Sequence, residues 1–360
     1  MSHIGVGRVM HLRKSDFMVY VPKPEAIRAR LIVNPAARNG QRMDDLQRAV
    51  RILRERGWHV DWVNSQYPRH TRELAREAVA LGYNAVIVAG GDGSIGQAAD
   101  GLAGSDVALG IIPAGTGNIL ARDLGLPIPV PWYPTAFTDA ARMLTNALWH
   151  RIDLGVIEDE KGRLFRFINW GGAGLDAKVT LRVEPHPEEK RKWGIAAYVL
   201  PAVQEMFSYE APHWRIHINK EYIEGRYYLV VVNNSQLYAA VVRLAPEARL
   251  DDGLLDVSLV PGNNLQDFLT RLSRLALFRR PVGRDIPVRQ TGELYIDASP
   301  PQPVHLDGDP ITHTPVHVYV DPLSLTLMVP SGHQFPAHLF KESAAGRQRN
   351  PFSLELPWWR

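Results

Sequence analysis

Apolar residues in the first part of this chain alternate between two spacings. Leu31, Ile32 and Val33 form a short continuous run that stops at Asn34 and Pro35. Met43, Leu46, Val50 and Leu53 then recur at helical spacing up to Gly57. Trp58, Val60 and Trp62 alternate as a strand, and Leu74, Ala75, Ala78 and Val79 return to the helical period, which Gly82 closes. Ala85 to Ala89 and Val107 to Ile112 are further continuous apolar runs, the mark of strands covered on both faces. The order predicts a βαβαβ progression and a parallel sheet, whose ligands sit at the carboxyl ends of its strands.

After Pro127 the pattern changes. A proline-rich connection, IPVPWYP, leads to a helix predicted over Ala136 to Leu148, and short strands dominate from Ile152. Phe165 to Ile168, Tyr227 to Val232, Leu254 to Val260, Glu293 to Ala298, Val304 to Leu306, Val316 to Val320 and Leu323 to Val329 read as strands separated by turn residues. So many short strands predict an all-β antiparallel, sandwich-like second domain. The expected divisions are an extension over 1–29, an α/β domain over 30–149 and a β-rich domain over 150–330. A return to the first domain over 331–345, carried by His338, Leu339 and Phe340, and a tail over 346–360 complete them.

Two of the buried runs empty into glycine-bearing turns. Gly90, Gly91, Asp92, Gly93 and Ser94 follow the first, and Pro113, Ala114, Gly115, Thr116, Gly117 and Asn118 follow the second, with Asn118 expected to cap the next helix. Backbone without Cβ atoms can bring its N–H groups up to a phosphate. The Lys-Ser or Lys-Thr of a Walker loop and the dinucleotide spacing are both missing. Asp92 has three readings on the residues alone: meeting Mg²⁺ beside a phosphate, orienting a hydroxyl, or capping the following helix.

Composition narrows the class. With 360 residues, 45% hydrophobic and 22% charged, the chain is long enough for two domains. Cysteine is absent, which excludes disulfides and thiol chemistry. No apolar run approaches the ~18 residues of a membrane span, and Met1 to Tyr20 lacks the pattern of a signal peptide. A net charge of +3 with no aromatic-interleaved basic motif argues against nucleic acid as a partner. The expectation is a cytoplasmic protein.

The pair GGDGS and PAGTGN, followed by ARDLGLP at Ala121 to Pro127, resembles the catalytic domain shared by diacylglycerol kinases, sphingosine kinases and bacterial lipid kinases. NAD kinases and phosphofructokinases carry related turns, and the first domain is expected to share their fold. NWGGAGLDA, RLAPEARLDDGLLDV and VHLDGDP extend the resemblance in the family's order, so that it covers roughly residues 30 to 330.

The resemblance implies ATP and Mg²⁺ as cofactors and a lipid substrate met at a membrane surface. It implies nucleotide contacts from Gly90, Gly91, Asp92, Gly93, Ser94, Ile95 and Gly96, with Thr116, Ser65 and the Asn34 turn beside them. Asp309 stands where the family commonly has Glu, the base for the lipid hydroxyl. A second Mg²⁺ site would use the Asp252 carboxylate and the backbone carbonyls of Arg249 and Leu254. Asp176, Arg191 and Lys192 are candidates for the lipid headgroup and phosphates. Arg38 and Gly96 depart from the family's usual residues.

A stripe of Leu265, Phe268, Leu269, Leu272 and Leu275, with Arg271, Arg274, Arg279, Arg280 and Arg284 around or after it, has the composition of an interfacial helix, and equally of one packed on a sheet. Trp358 and Trp359 are further candidates for an interface. The expected activity is transfer of the γ-phosphate of ATP to a hydroxyl of a diacylglycerol-like or sphingoid lipid. A catalytically silent nucleotide- or lipid-binding protein and a soluble-substrate kinase of the NAD-kinase kind are the alternatives. The oligomeric state is left open.

Overall fold

A computed structural model describes residues 20–21, 23–35, 42–183, 209–238, 242–262, 265–278 and 286–341. The chain begins with β1 (Ile27–Val33), α1 (Met43–Glu55), β2 (Trp58–Asn64), α2 (His70–Ala80), β3 (Ala85–Gly90), α3 (Asp92–Leu102), β4 (Ala108–Pro113), α4 (Ile119–Asp123) and α5 (Ala136–Thr145). It continues with β5 (Leu148–Asp159), β6 (Leu164–Phe167), β7 (Trp170–Gly174), α6 (Leu175–Val183), β8 (His213–Ile218), β9 (Glu221–Asn233), β10 (Leu237–Tyr238), β11 (Val242–Arg243) and β12 (Leu255–Pro261). Then come α7 (Leu265–Phe278), β13 (Val288–Thr291), β14 (Glu293–Ser299), β15 (Pro303–Leu306), β16 (Asp309–His313) and β17 (Val316–Val329).

The first part is the predicted parallel sheet, in the order β2-β1-β3-β4. Its central strands β3 and β4 are apolar and buried throughout because helices cover both faces, whereas the edge strand β2 alternates. Leu46, Ala49 and Leu53 of α1 pack with Phe137, Ala140 and Leu144 of α5 on one side. Leu74 and Ala78 of α2 pack with Ile95, Ala98 and Leu102 of α3 on the other. The first strand starts at Ile27, before the expected run from Leu31, because Ile27 and Ala29 are already buried. Part of the expected extension is also attached, since Val21 donates its N–H to the Trp149 carbonyl at 2.8 Å.

The second part is antiparallel. Its strands β7, β8, β9, β12, β14, β15 and β17 turn their inner residues into one core that includes Trp214, Ile216, Val230, Val257, Leu294, Val304 and Val318. The two strands expected over Val316–Val320 and Leu323–Val329 are one strand, β17, whose register shifts between Asp321 and Leu325. Leu323 there has a φ of +49° and donates its N–H to Asp153 Oδ1 at 2.7 Å. The alternation breaks at this irregularity, which is why the pattern reads as two strands.

The same strand joins the two sheets. β17 lies along β14 at its start, and its end runs parallel to β4, pairing Thr326 with Ala108 and Leu327 with Leu109. Beyond it, Leu339 and Phe340 are buried in the α2/α3-side core of the first sheet. Among the described residues no helix is long and apolar enough to cross a membrane.

Candidate active site

The two glycine-bearing turns are packed backbone against backbone. A Cβ on Gly115 would lie 2.4 Å from the α-carbon of Gly91, so neither turn could approach the other with a side chain there. Ala114 donates its N–H to the Gly90 carbonyl at 2.9 Å, continuing the β3–β4 ladder into the turns. A Cβ on Gly90 would lie 2.8 Å from the Cβ of Ser94, whose buried hydroxyl accepts a hydrogen bond from the Asn34 amide at 3.0 Å. Asn34 therefore meets the head of α3 from the end of β1, and Ser65, at the end of β2, donates its N–H to the Val33 carbonyl at 2.9 Å. Thr116 is exposed and Ile95 is buried. All lie at the carboxyl edge of the parallel sheet.

Asp92 is the first residue of α3, and the helix it caps is a different one. Its Oδ1 accepts the N–H of Ile119, the first residue of α4, at 2.6 Å. The Asn118 side chain takes no part in that cap. Asn118 has a φ of +50°, and its amide bonds back to both backbone groups of Gly115, at 2.9 and 2.8 Å. The expected cap at Asn118 is corrected accordingly: Asn118 holds the turn, and Asp92 reaches across from the other turn to start the helix. Burial raises the Asp92 carboxyl above its usual range, against the backbone donors of Ile119 and Asn118 that lower it.

The other half of the site arrives on the β15–β16 hairpin. Asp307 and Gly308 have φ values of +47° and +92°, the conformation of a two-residue hairpin turn in which Asp-Gly is favoured. Asp309 follows the turn, and a Cβ on Gly93 would lie 3.5 Å from its Oδ2. Its carboxylate thus stands over the first turn of α3, beside Gly93, the residue after Asp92. Asp307 comes closer still to the helix. A Cβ on Gly96 would be 3.1 Å from its Oδ2, which gives a reason for glycine at that position. The Asp307 carboxylate also accepts the N–H groups of Ile168, Asn169 and Trp170 at 3.4, 3.2 and 3.1 Å. Burial, with the charge of Asp92 contributing, pushes it up to about 7.

A second carboxylate group surrounds the Arg249–Leu254 turn. Asp252 accepts the N–H of Leu254 at 3.0 Å. Asp153 accepts those of Gly253 and Leu323, both at 2.7 Å. Asp251 bonds His150 at 3.0 Å and the Lys341 N–H at 2.6 Å. Burial raises Asp252, and it pushes Asp153 and Asp256 to about 6, the charge of Asp252 adding to both. Such uncompensated negative charge suits a hard cation bound by oxygen. Among the described residues no three His, Asp or Glu side chains form a ready-made metal cage. Backbone carbonyls or phosphate oxygens would have to complete either site.

Asp176, at the start of α6, is held by three partners: His305 Nε2 at 2.9 Å, the Tyr238 hydroxyl at 3.1 Å and the Ala177 N–H at 2.8 Å. His305 is two residues before Asp307 on the hairpin. Asp123 ties α4 to the second part by accepting the N–H groups of Gln236 and Leu237 at 3.2 and 3.1 Å. Asp307, Asp123, His305 and Tyr238 were not expected site residues. Arg38, Arg191, Lys192, Arg279, Arg280, Arg284, Trp358 and Trp359 lie outside the described residues.

Two glycine-bearing turns at the edge of a parallel sheet, met by carboxylates carried by a β-sandwich, are the arrangement of a two-domain phosphotransferase. Residues 28–157 match the diacylglycerol kinase catalytic domain, and residues 171–329 match the YegS C-terminal NAD kinase beta sandwich-like domain. The chain thus carries both domains, one after the other. It is 28% identical over 302 residues to a diacylglycerol kinase of Mycobacterium tuberculosis, covering 83% of this chain and 94% of the relative. A protein of Pseudomonas aeruginosa named "Probable lipid kinase YegS-like" is 29% identical over 295 residues, covering 80% and 91%. The crystal structure of a diacylglycerol kinase from Bacillus anthracis superposes with a TM-score of 0.68 at 25% identity, covering 85% of this chain and 98% of that one.

Proposed function

We propose that the protein transfers the γ-phosphate of ATP to a hydroxyl of a diacylglycerol-like or sphingoid lipid drawn from a membrane surface. The observation that carries this reading is the position of Asp309. A carboxylate delivered by the sandwich stands against Gly93 at the head of α3, where a phosphate cradled by the two turns would meet an incoming hydroxyl. A binding module would have no need of that approach.

The nucleotide phosphates lie against the head of α3, contacted by Gly90, Gly91, Gly93 and Ser94, with Asn34, Ser65, Ile95, Gly96 and Thr116 around them. The lipid hydroxyl oxygen attacks the γ-phosphorus as its proton passes to the Asp309 carboxylate. The bond from the γ-phosphorus to the bridging oxygen breaks, and ADP leaves. Asp92 holds the two turns in register through Ile119, and its second oxygen stands against Gly117 of the second turn. Mg²⁺, when bound, supplies neutralisation of the phosphate charge. The raised Asp92 and Asp307 carboxyls fit such an ion. The Asp252 carboxylate, with the carbonyls of Arg249 and Leu254, would hold a separate Mg²⁺ through oxygen ligands. Asp176, oriented by His305 and Tyr238, receives the lipid headgroup, and Arg191 and Lys192 are assigned to the same region from the sequence.

Transfer of radiolabel from ATP to a panel of diacylglycerols and sphingoid bases tests the proposal. Asp309→Ala and Asp92→Ala should each lower turnover by ~10³-fold or more with an unchanged circular dichroism spectrum. Full activity in both variants overturns the mechanism, and no transfer to any lipid by the wild type overturns the function.

A further inference from the structure

The apolar residues of α7 fall into two sets. Phe268 and Leu275 are 4% and 8% exposed and pack in a cluster with Tyr228 and Val260 of the sandwich and Val179 of α6. The Phe268 ring lies 4.4 Å from that of Tyr228. Separated by seven residues, the two occupy one face of the helix. Leu269, Leu277 and Phe278 are 39%, 76% and 54% exposed, so packing on the sheet does not account for them. Arg271 and Arg274 lie on the same helix.

The cluster beneath α7 leads to the candidate site. It contains Trp170, whose N–H binds Asp307, and Ile119, whose N–H binds Asp92. Tyr238, packed against its edge, bonds Asp176. Apolar side chains therefore run from the exposed edge of α7 to three of the site carboxylates. A second exposed aromatic surface, with Tyr222 and Tyr295 beside an open cavity of about 640 Å³, differs in charge: Glu158, Asp159, Glu160 and Asp297 line it, against one arginine, Arg215.

We propose that the outer half of α7, which carries Leu269, Leu277 and Phe278 together with Arg271 and Arg274, docks on a bilayer carrying anionic headgroups. The proposal rests on the lipid-kinase reading of the site. An amphipathic helix of this kind lies in the headgroup plane, with apolar side chains below it and arginines level with the phosphates. Spanning is not involved.

The chain has no cysteine, so Leu277→Cys and Tyr295→Cys each give a single site for an environment-sensitive fluorophore. With vesicles of equimolar phosphatidylcholine and phosphatidylglycerol, the probe at 277 should shift to the blue and gain intensity, and the probe at 295 should not change. The double variant Leu277→Glu, Phe278→Glu should lose ~10-fold or more in vesicle partition, with a similar loss of turnover on diacylglycerol in those vesicles. Its turnover on diacylglycerol dispersed in detergent micelles should stay near wild type. Unchanged partition of the double variant overturns the proposal, as does an equal response at 277 and 295. So does conversion of a dimer to a monomer with partition unaltered, which would make the face a self-association surface. If the wild type docks through 277 but phosphorylates lipid in neither form, the docking proposal stands and the kinase reading falls.

Discussion

Replacing Asp307 by Asn isolates the electrostatic cost of the buried hairpin carboxylate. The amide is nearly isosteric, tolerates the left-handed conformation at φ +47°, and keeps an oxygen for the N–H groups of Asn169 and Trp170. It cannot ionise. In the wild type the folded-state carboxyl sits at about 7, against about 3.9 in the unfolded chain. Between those values the folded protein holds a proton that the unfolded chain has released, so stability falls as pH rises through this window and levels off above 7. From pH 5 to pH 8 the loss is about 2 to 3 kcal/mol, taking 1.36 kcal/mol per pKa unit. Urea unfolding in buffer free of divalent cations reads this directly. At an m value of about 2 to 3 kcal/mol/M, the wild-type midpoint should drop by about 1 M more than that of the variant over the same range. Asp123, Asp153 and Asp256, all near 6, push both proteins in the same direction and cancel in the comparison. Parallel midpoint curves for the two proteins would refute the assignment of this charge to Asp307.

Two further outcomes follow from the packing of the turns and from the second carboxylate group. Gly115→Ala forces a Cβ within 2.4 Å of the Gly91 α-carbon. It should cost about 1 to 3 kcal/mol in thermal or urea unfolding and weaken ATP binding measured by calorimetry. Asp252→Ala removes a like charge beside Asp153 and Asp256, so in metal-free buffer its melting temperature should equal or exceed that of the wild type. Added Mg²⁺ should then raise the melting temperature of the wild type more than that of the variant; an equal rise in the two would place the ion elsewhere.

The parallel half was legible in the sequence because its strands are buried on both faces and its helices on one, so the period of apolar residues reports each element. The carboxylates were harder to read. Asp307-Gly308 reads as a hairpin turn and is one; that its side chain also enters the site depends on the placement of α3 by a different part of the chain. Asp92 suggested a cap, and it does cap, but for α4, whose start is brought near only by the packing of the two turns. Asp123, His305 and Tyr238 carry no local pattern. Asp123 gains its role from the Gln236 N–H in the other half of the fold, and His305 and Tyr238 gain theirs from the Asp176 carboxylate, far from both in the chain.

The course of β17 has a consequence for how the protein is made. β4 gains its second neighbour only when Thr326 and Leu327 arrive, close to the end of the described chain. Until then a nascent first sheet would present an unpaired strand bearing Leu109, Ile111 and Ile112, a template for pairing with the wrong chain. Synthesis from the N-terminus therefore cannot finish this sheet as an independent unit. Fragments cut at the proteolytically attractive linker before α5 should be recovered as aggregates, and as folded material only when both pieces are present together.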